Sequence, residues 1–137
     1  MFYHSKELQF KARVSRPDPR FARLLLEQFG GGNGELKAAM QYFVQAFACH
    51  NPYPDKYDML MDIATEELGH LEIIGAIVHQ LTRNMTPEEV KKAGYETYFV
   101  DHTAGVYPTA ASGSPWNAAS MAVKGDLIAD LTEDLAA

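Results

Sequence analysis

Apolar and polar positions repeat with a helical period over most of this chain. Between Pro54 and Arg83, alternating steps of three and four pick out Leu60, Ile63, Glu67, His70, Ile74, Ile77 and Leu81. That is the heptad-like seam of a long helix packed among other helices. The same count gives Glu35, Ala39, Tyr42, Ala46 and Cys49 upstream, with Leu36, Met40, Phe43 and Phe47 alongside. It predicts a second helix over 34–50, ended by "NPYP" because proline cannot continue a helix. Three shorter helices are predicted from their punctuation. One spans 19–29, opened by Asp18 and Pro19 and stopped by Gly30 and Gly31. One spans 87–93, opened by a capping box of Thr86, Pro87 and Glu89 and ended at Gly94. The last spans 126–137, capped by Asp126, with Leu127, Ile128, Leu131 and Leu135 expected on one face. The remainder is irregular: an extended N-terminal segment over 1–16, in which "LQFKARV" reads as a weak strand, and a long loop over 95–125. A structureless loop of that length tends to carry function or to pack on another subunit, and Trp116 with the loop tyrosines is expected to make such a contact. The expected architecture is all-α: one helical bundle over 1–137, with two long bundle helices and the start of a third.

Composition narrows the function. Of the 137 residues, 47 % are hydrophobic and 22 % charged, an ordinary globular balance. A formal net charge of −6 argues against nucleic acid or an anionic membrane as the main partner. No apolar run approaches the roughly 20 residues needed to span a bilayer, and the polar N-terminus lacks a signal-peptide centre. With one cysteine, Cys49, there is no intramolecular disulfide. The expected location is the cytoplasm. "GGGNG" lacks the preceding strand of a phosphate-binding loop and reads as a helix break. "GSP" is not a nucleophile elbow.

The chemistry lies in the seams. Glu67 and His70 stand in the middle of a stripe about to be buried, and Glu35 opens the facing stripe. A buried carboxylate costs several kcal/mol unless paired or metal-bound, and neither seam offers a lysine or arginine. A pair of divalent ions supplies the missing charge. Glu67 and His70, three apart, share a helix face; Glu35 comes from the neighbouring helix. One Glu from a helix plus Glu-x-x-His from the next is half of the carboxylate-bridged di-metal site of ferritin-like bundles. Oxygen-rich ligation suits manganese or iron better than zinc or copper. His4, His50, His79 and His102 lie off the seams and are not expected to be ligands. Tyr42 is a core residue with a candidate hydrogen bond to a ligand. Met40, Met59 and Met61 are read as packing residues.

The stretches "KELQF", "DPRFARLLLEQFGGGNGEL", "DIATEELGHLEII", "PWNAASM" and "KGDLIADL" resemble the manganese catalases and, among them, their spore-coat relatives. The resemblance covers nearly the whole chain. It implies a ferritin-like four-helix bundle in which two manganese ions disproportionate hydrogen peroxide to water and oxygen. It assigns Glu35 as a terminal ligand, Glu67 as a bridging carboxylate and His70 as an imidazole ligand, with Glu66 beside them. It also implies a homo-oligomer, a hexamer in the family, and the spore coat as a second location. The family draws its remaining ligands from later in its third helix and from its fourth. The 137 residues stop short of them, so the expected site is half of the family's, rebuilt if two chains pair. The alternatives are a ferritin-like di-iron oxidase or peroxidase, and a structural coat protein with a vestigial site. The proton-transfer acid is left unassigned.

Overall fold

A computed structural model describes residues 3–95 and 106–136. Among these residues five α-helices follow one another: α1 (Pro19–Gly30), α2 (Glu35–Cys49), α3 (Pro54–Thr82), α4 (Pro87–Lys92) and α5 (Leu127–Ala136), with a short 3-10 turn at Ala118–Ser120. His102 lies outside the described residues.

The helix ends follow from local chemistry. Asp18 caps α1, its carboxylate accepting from the Phe21 amide at 3.0 Å. Thr86 and Glu89 close a capping box on α4. Asp126 accepts from the Ala129 amide at 2.9 Å, capping α5. Such caps satisfy amides that have no partner inside the helix.

Helix α3 lies along α2 in a helical hairpin and also supports α1. Two apolar clusters result. The larger joins α1, α3 and α4 through Ala22, Leu26, Val78, Leu81, Val90, Ala93 and Tyr95. The smaller joins α2, α3 and α5 through Ala46, Cys49 and Leu60, with Tyr42, Tyr57, Met61, Leu127 and Leu131 packed around it.

Three expectations need correction. "LQFKARV" is not a strand; among the described residues the only β-type pairing is an isolated bridge between Thr109 and Pro115. Residues 12–14 are instead held by one side chain. Gln80 accepts from the Val14 amide at 3.1 Å and donates to the Ala12 carbonyl at 3.0 Å. On α5, Leu127 and Leu131 enter the core, but Ile128 and Leu135 are exposed, because α5 packs chiefly along α2 and buries a narrow stripe. Met59 also points outward, on the uncovered side of α3.

Candidate metal centre

Register places the site. In the hairpin, Cys49 on α2 and Leu60 on α3 meet near the turn, so Glu35, at the far end of α2, faces the middle of α3. Glu67 and His70 project there from adjacent turns of one face. His70 Nδ1 lies 2.8 Å from Glu67 Oε2 and 3.8 Å from Glu35 Oε2. One potential ligand atom from each of the three residues falls within 4.8 Å of the others. All three side chains are half-buried.

This proximity sets the electrostatics. Burial, and then the adjoining Glu67 carboxyl, push the Glu35 carboxyl from its ordinary 4.5 up to about 7. The hydrogen bond to Glu67 raises the His70 imidazole above its ordinary value. Among the described residues no lysine or arginine lies within 4.0 Å of any of the three groups. Two carboxyls and an imidazole thus compete for too few protons, an arrangement that a bound cation relieves.

The two flanking residues occupy different positions. Glu66 reaches His70 only from the outside, with its Oε1 4.0 Å from Nε2, and is largely exposed. Tyr42 packs in the small cluster beside α5. Burial, and then the charges of Asp134 and Glu67, raise its phenol above the ordinary value. His4 pairs with Glu72, and His50 stacks edge-on against Tyr57. His79 is exposed.

A polar layer that sequence reasoning misses lies beside the site. Gln41 and Gln45 are each 1 % exposed. Gln41 accepts from the Ala122 amide at 2.8 Å and donates to Asp134 at 2.7 Å. Gln45 donates to the Ala122 carbonyl at 2.8 Å. The buried Asp130 carboxylate accepts from the Lys124 amide at 2.7 Å. These bonds fix α5 and the segment before it on α2. Two glutamines four apart in a helix ordinarily read as a solvated stripe.

The chain matches the family model described as manganese containing catalase over residues 1–137. It is 42 % identical to Protein CotJC of Bacillus subtilis, covering 100 % of this chain and 71 % of that protein. It is 38 % identical to a probable manganese catalase of Clostridium acetobutylicum, covering 99 % of this chain and 60 % of that one. The crystal structure of KatB, a manganese catalase from Anabaena, superposes with a TM-score of 0.86 at 40 % identity, over 99 % of this chain and 60 % of KatB. The chain therefore spans less than two thirds of the catalases it matches. Its all-α ferritin-like architecture is theirs, and the chain belongs to the manganese containing catalase family.

Proposed function

We propose that this chain contributes to the disproportionation of hydrogen peroxide to water and oxygen, with Glu35, Glu67 and His70 as its manganese-holding residues. The observation that carries the proposal is the convergence of those three donors within 4.8 Å, with no lysine or arginine among the described residues to neutralise them. The fit to a hard divalent ion rests on the donor set itself. It comprises two carboxylates, one displaced to about 7 by burial and its neighbour, and one imidazole. When bound, a manganese pair supplies the two-electron redox change that takes peroxide to water in one half-turn and to oxygen in the other.

The chain's own residues prepare that site. Glu67 holds the His70 ring through Nδ1 at 2.8 Å and so limits its rotation. Glu35 at the start of α2 is the group that must give up a proton before a cation enters. Tyr42, packed in the small cluster, lies near enough to Glu67 for that carboxylate's charge to act on its phenol, and Glu66 stands on the outer side of His70, open to solvent. Pairing of two copies would bring a second set of the same three donors, giving four carboxylates and two imidazoles, the composition of many di-metal bundles. An oligomer of this kind, in the cytoplasm or in the spore coat, belongs to the same proposal. The likeness to CotJC supports keeping the second location, and no described helix is long and apolar enough to cross a membrane.

Native mass spectrometry of the manganese-loaded chain tests the assignment, reading chain count and bound metal together. Glu67→Ala and His70→Ala are expected to lose bound manganese while keeping their helical circular dichroism. Unchanged metal content in both variants would show the site to be elsewhere. Oxygen evolution from peroxide without an electron donor supports the catalase reading. Preferential iron uptake with oxidation of iron(II) and no oxygen release supports the di-iron alternative.

A further inference from the structure

Beyond the C-terminal end of α3 the molecule carries a second charge cluster, of opposite sign. Two adjoining grooves run between the start of α1 and the end of α4. One, of about 360 Å³, is lined by Arg20, Arg23, Leu24, Lys91 and Lys92, with Ala93 and Gly94 at its base. The other, of about 470 Å³, continues past Arg20 and Lys92 to Arg16 and includes Asp18 and Glu89. Five of the chain's 12 lysines and arginines thus line one continuous surface. With five cations and two carboxylates, this surface has a formal charge of +3, and the rest of the chain is left at −9.

These cations are not neutralised internally. Among the described residues none of the five has a carboxylate within 4.0 Å. The two acids in the lining are engaged at helix N-termini, Asp18 with the Phe21 amide and Glu89 with the amide and hydroxyl of Thr86. Lys91 and Lys92 alone would be unremarkable, since cations favour a helix C-terminus. Arg23 is different, because it is held in place. Its Nε donates to the Ala111 carbonyl at 3.1 Å. Its Nη1 lies 3.2 Å from where a Cβ would stand on Gly94, a residue with φ of +70°. The missing side chain at Gly94 leaves room for the Arg23 guanidinium to approach the backbone there, and Arg23 also lines the groove. A seated guanidinium is suited to a planar carboxylate, which it can bind through two parallel hydrogen bonds.

We propose that this groove is a docking surface for an extended acidic polypeptide segment of a partner protein, with carboxylates spaced along it and an apolar residue among them. Two observations favour a polypeptide over a free oxyanion. The two grooves share Arg20 and Lys92, so carboxylates spaced along one segment can be engaged in both. Leu24, 61 % exposed, forms one wall and offers an apolar contact that an inorganic ion cannot use. A long nucleic acid is disfavoured by the −9 carried elsewhere on the chain. This inference does not depend on the metal centre.

Fluorescence anisotropy tests it, with a labelled ten-residue peptide of alternating glutamate and leucine as the probe for the purified chain. Binding is expected to be lost on replacing glutamate by lysine in the peptide and to weaken steeply with salt. Arg20→Glu combined with Lys92→Glu is expected to weaken it roughly tenfold or more. Gly94→Ala, which unseats Arg23, is expected to weaken it less, and circular dichroism of each variant checks that the fold is kept. Should Gly94→Ala fail to fold, Arg23→Lys makes the same test, since lysine keeps the charge and loses the paired geometry. Equal affinity of the charge-reversed and unaltered chains would overturn the proposal. So would full displacement of the peptide by millimolar inorganic phosphate, or tighter binding of a single-stranded oligonucleotide at the same residues.

Discussion

Helix α3 belongs to two different environments. Its C-terminal part, through Val78 and Leu81, is packed between α1 and α4 in a cluster of seven buried residues. Its N-terminal part meets α2 in a cluster of only three, Ala46, Cys49 and Leu60. Between the two lie Glu67 and His70. The flank of this thinner region is also open: Phe47 and Leu68 are exposed, and Ala39, Met40, Phe43, Ala64, Thr65 and Leu68 line an apolar groove of about 220 Å³. The comparison teaches a division of labour along one helix. The apolar half supplies cohesion, which allows the other half to hold like charges together at a cost in stability.

The two most buried leucines of these regions should separate them most clearly. Leu26→Ala opens a void where neighbours close in from three helices and is expected to cost about 3–5 kcal/mol. Leu60→Ala lies beside an open flank that can relax, and about 2–3 kcal/mol is expected there. Urea denaturation of both variants measures the difference, and equal losses would show that the two halves are packed alike.

Next in size is the polar layer that ties α5 to α2. Gln41→Leu leaves the Ala122 amide and the Asp134 carboxylate without their buried partner, which corresponds to about 1–3 kcal/mol. The variant is expected to retain the Val78 and Leu81 cluster and to lose order in α5. Hydrogen exchange resolved by segment reads this directly. Uniform loss of protection across α1 and α4 would argue that the regions are a single cooperative unit.

The smallest effect is the most specific to the site. Glu35 is protonated more readily in the folded chain, at about 7, than at its ordinary 4.5. The folded state therefore binds the extra proton, and in the metal-free chain the contribution of Glu35 to stability is expected to be complete below about 4.5 and to be lost as pH rises through about 7. His70, also raised, acts in the same direction: its stabilisation by Glu67 is complete below 6.5 and is lost above that. The exposed carboxylates of Glu89 and Glu133, which are lowered, act oppositely and in a more acidic range. Thermal melts across pH 4–8 should show the decline, and Glu35→Gln should flatten it. Saturating manganese should reverse the slope, because the ion displaces the proton. A slope unchanged by Glu35→Gln would remove Glu35 from the explanation.

Much of this was legible in the sequence because its signals are local. Asp18, Thr86, Glu89 and Asp126 mark helix starts through a bond three residues away, and the seam from Leu60 to Leu81 follows from a period. Glu35, Glu67 and His70 stood out because charge in an apolar stripe needs a reason. The exposed Ile128 and Leu135 were misread because a period shows that a helix has an apolar face but not how much of it a neighbour covers. Gln41, Gln45 and Gln80 were not legible at all, since nothing near them in sequence reveals that residues 122 and 12–14 come to lie beside them.

Those glutamines have one more consequence. Gln80 grips the amide of Val14 and the carbonyl of Ala12, and Gln41 with Gln45 grips both groups of Ala122. A segment held by its main chain is indifferent to the identity of its own side chains. Positions 13 and 122 can therefore drift through many residue types without changing their path, whereas the helical glutamines cannot. The instructions for two of the irregular stretches of this protein are written in its helices.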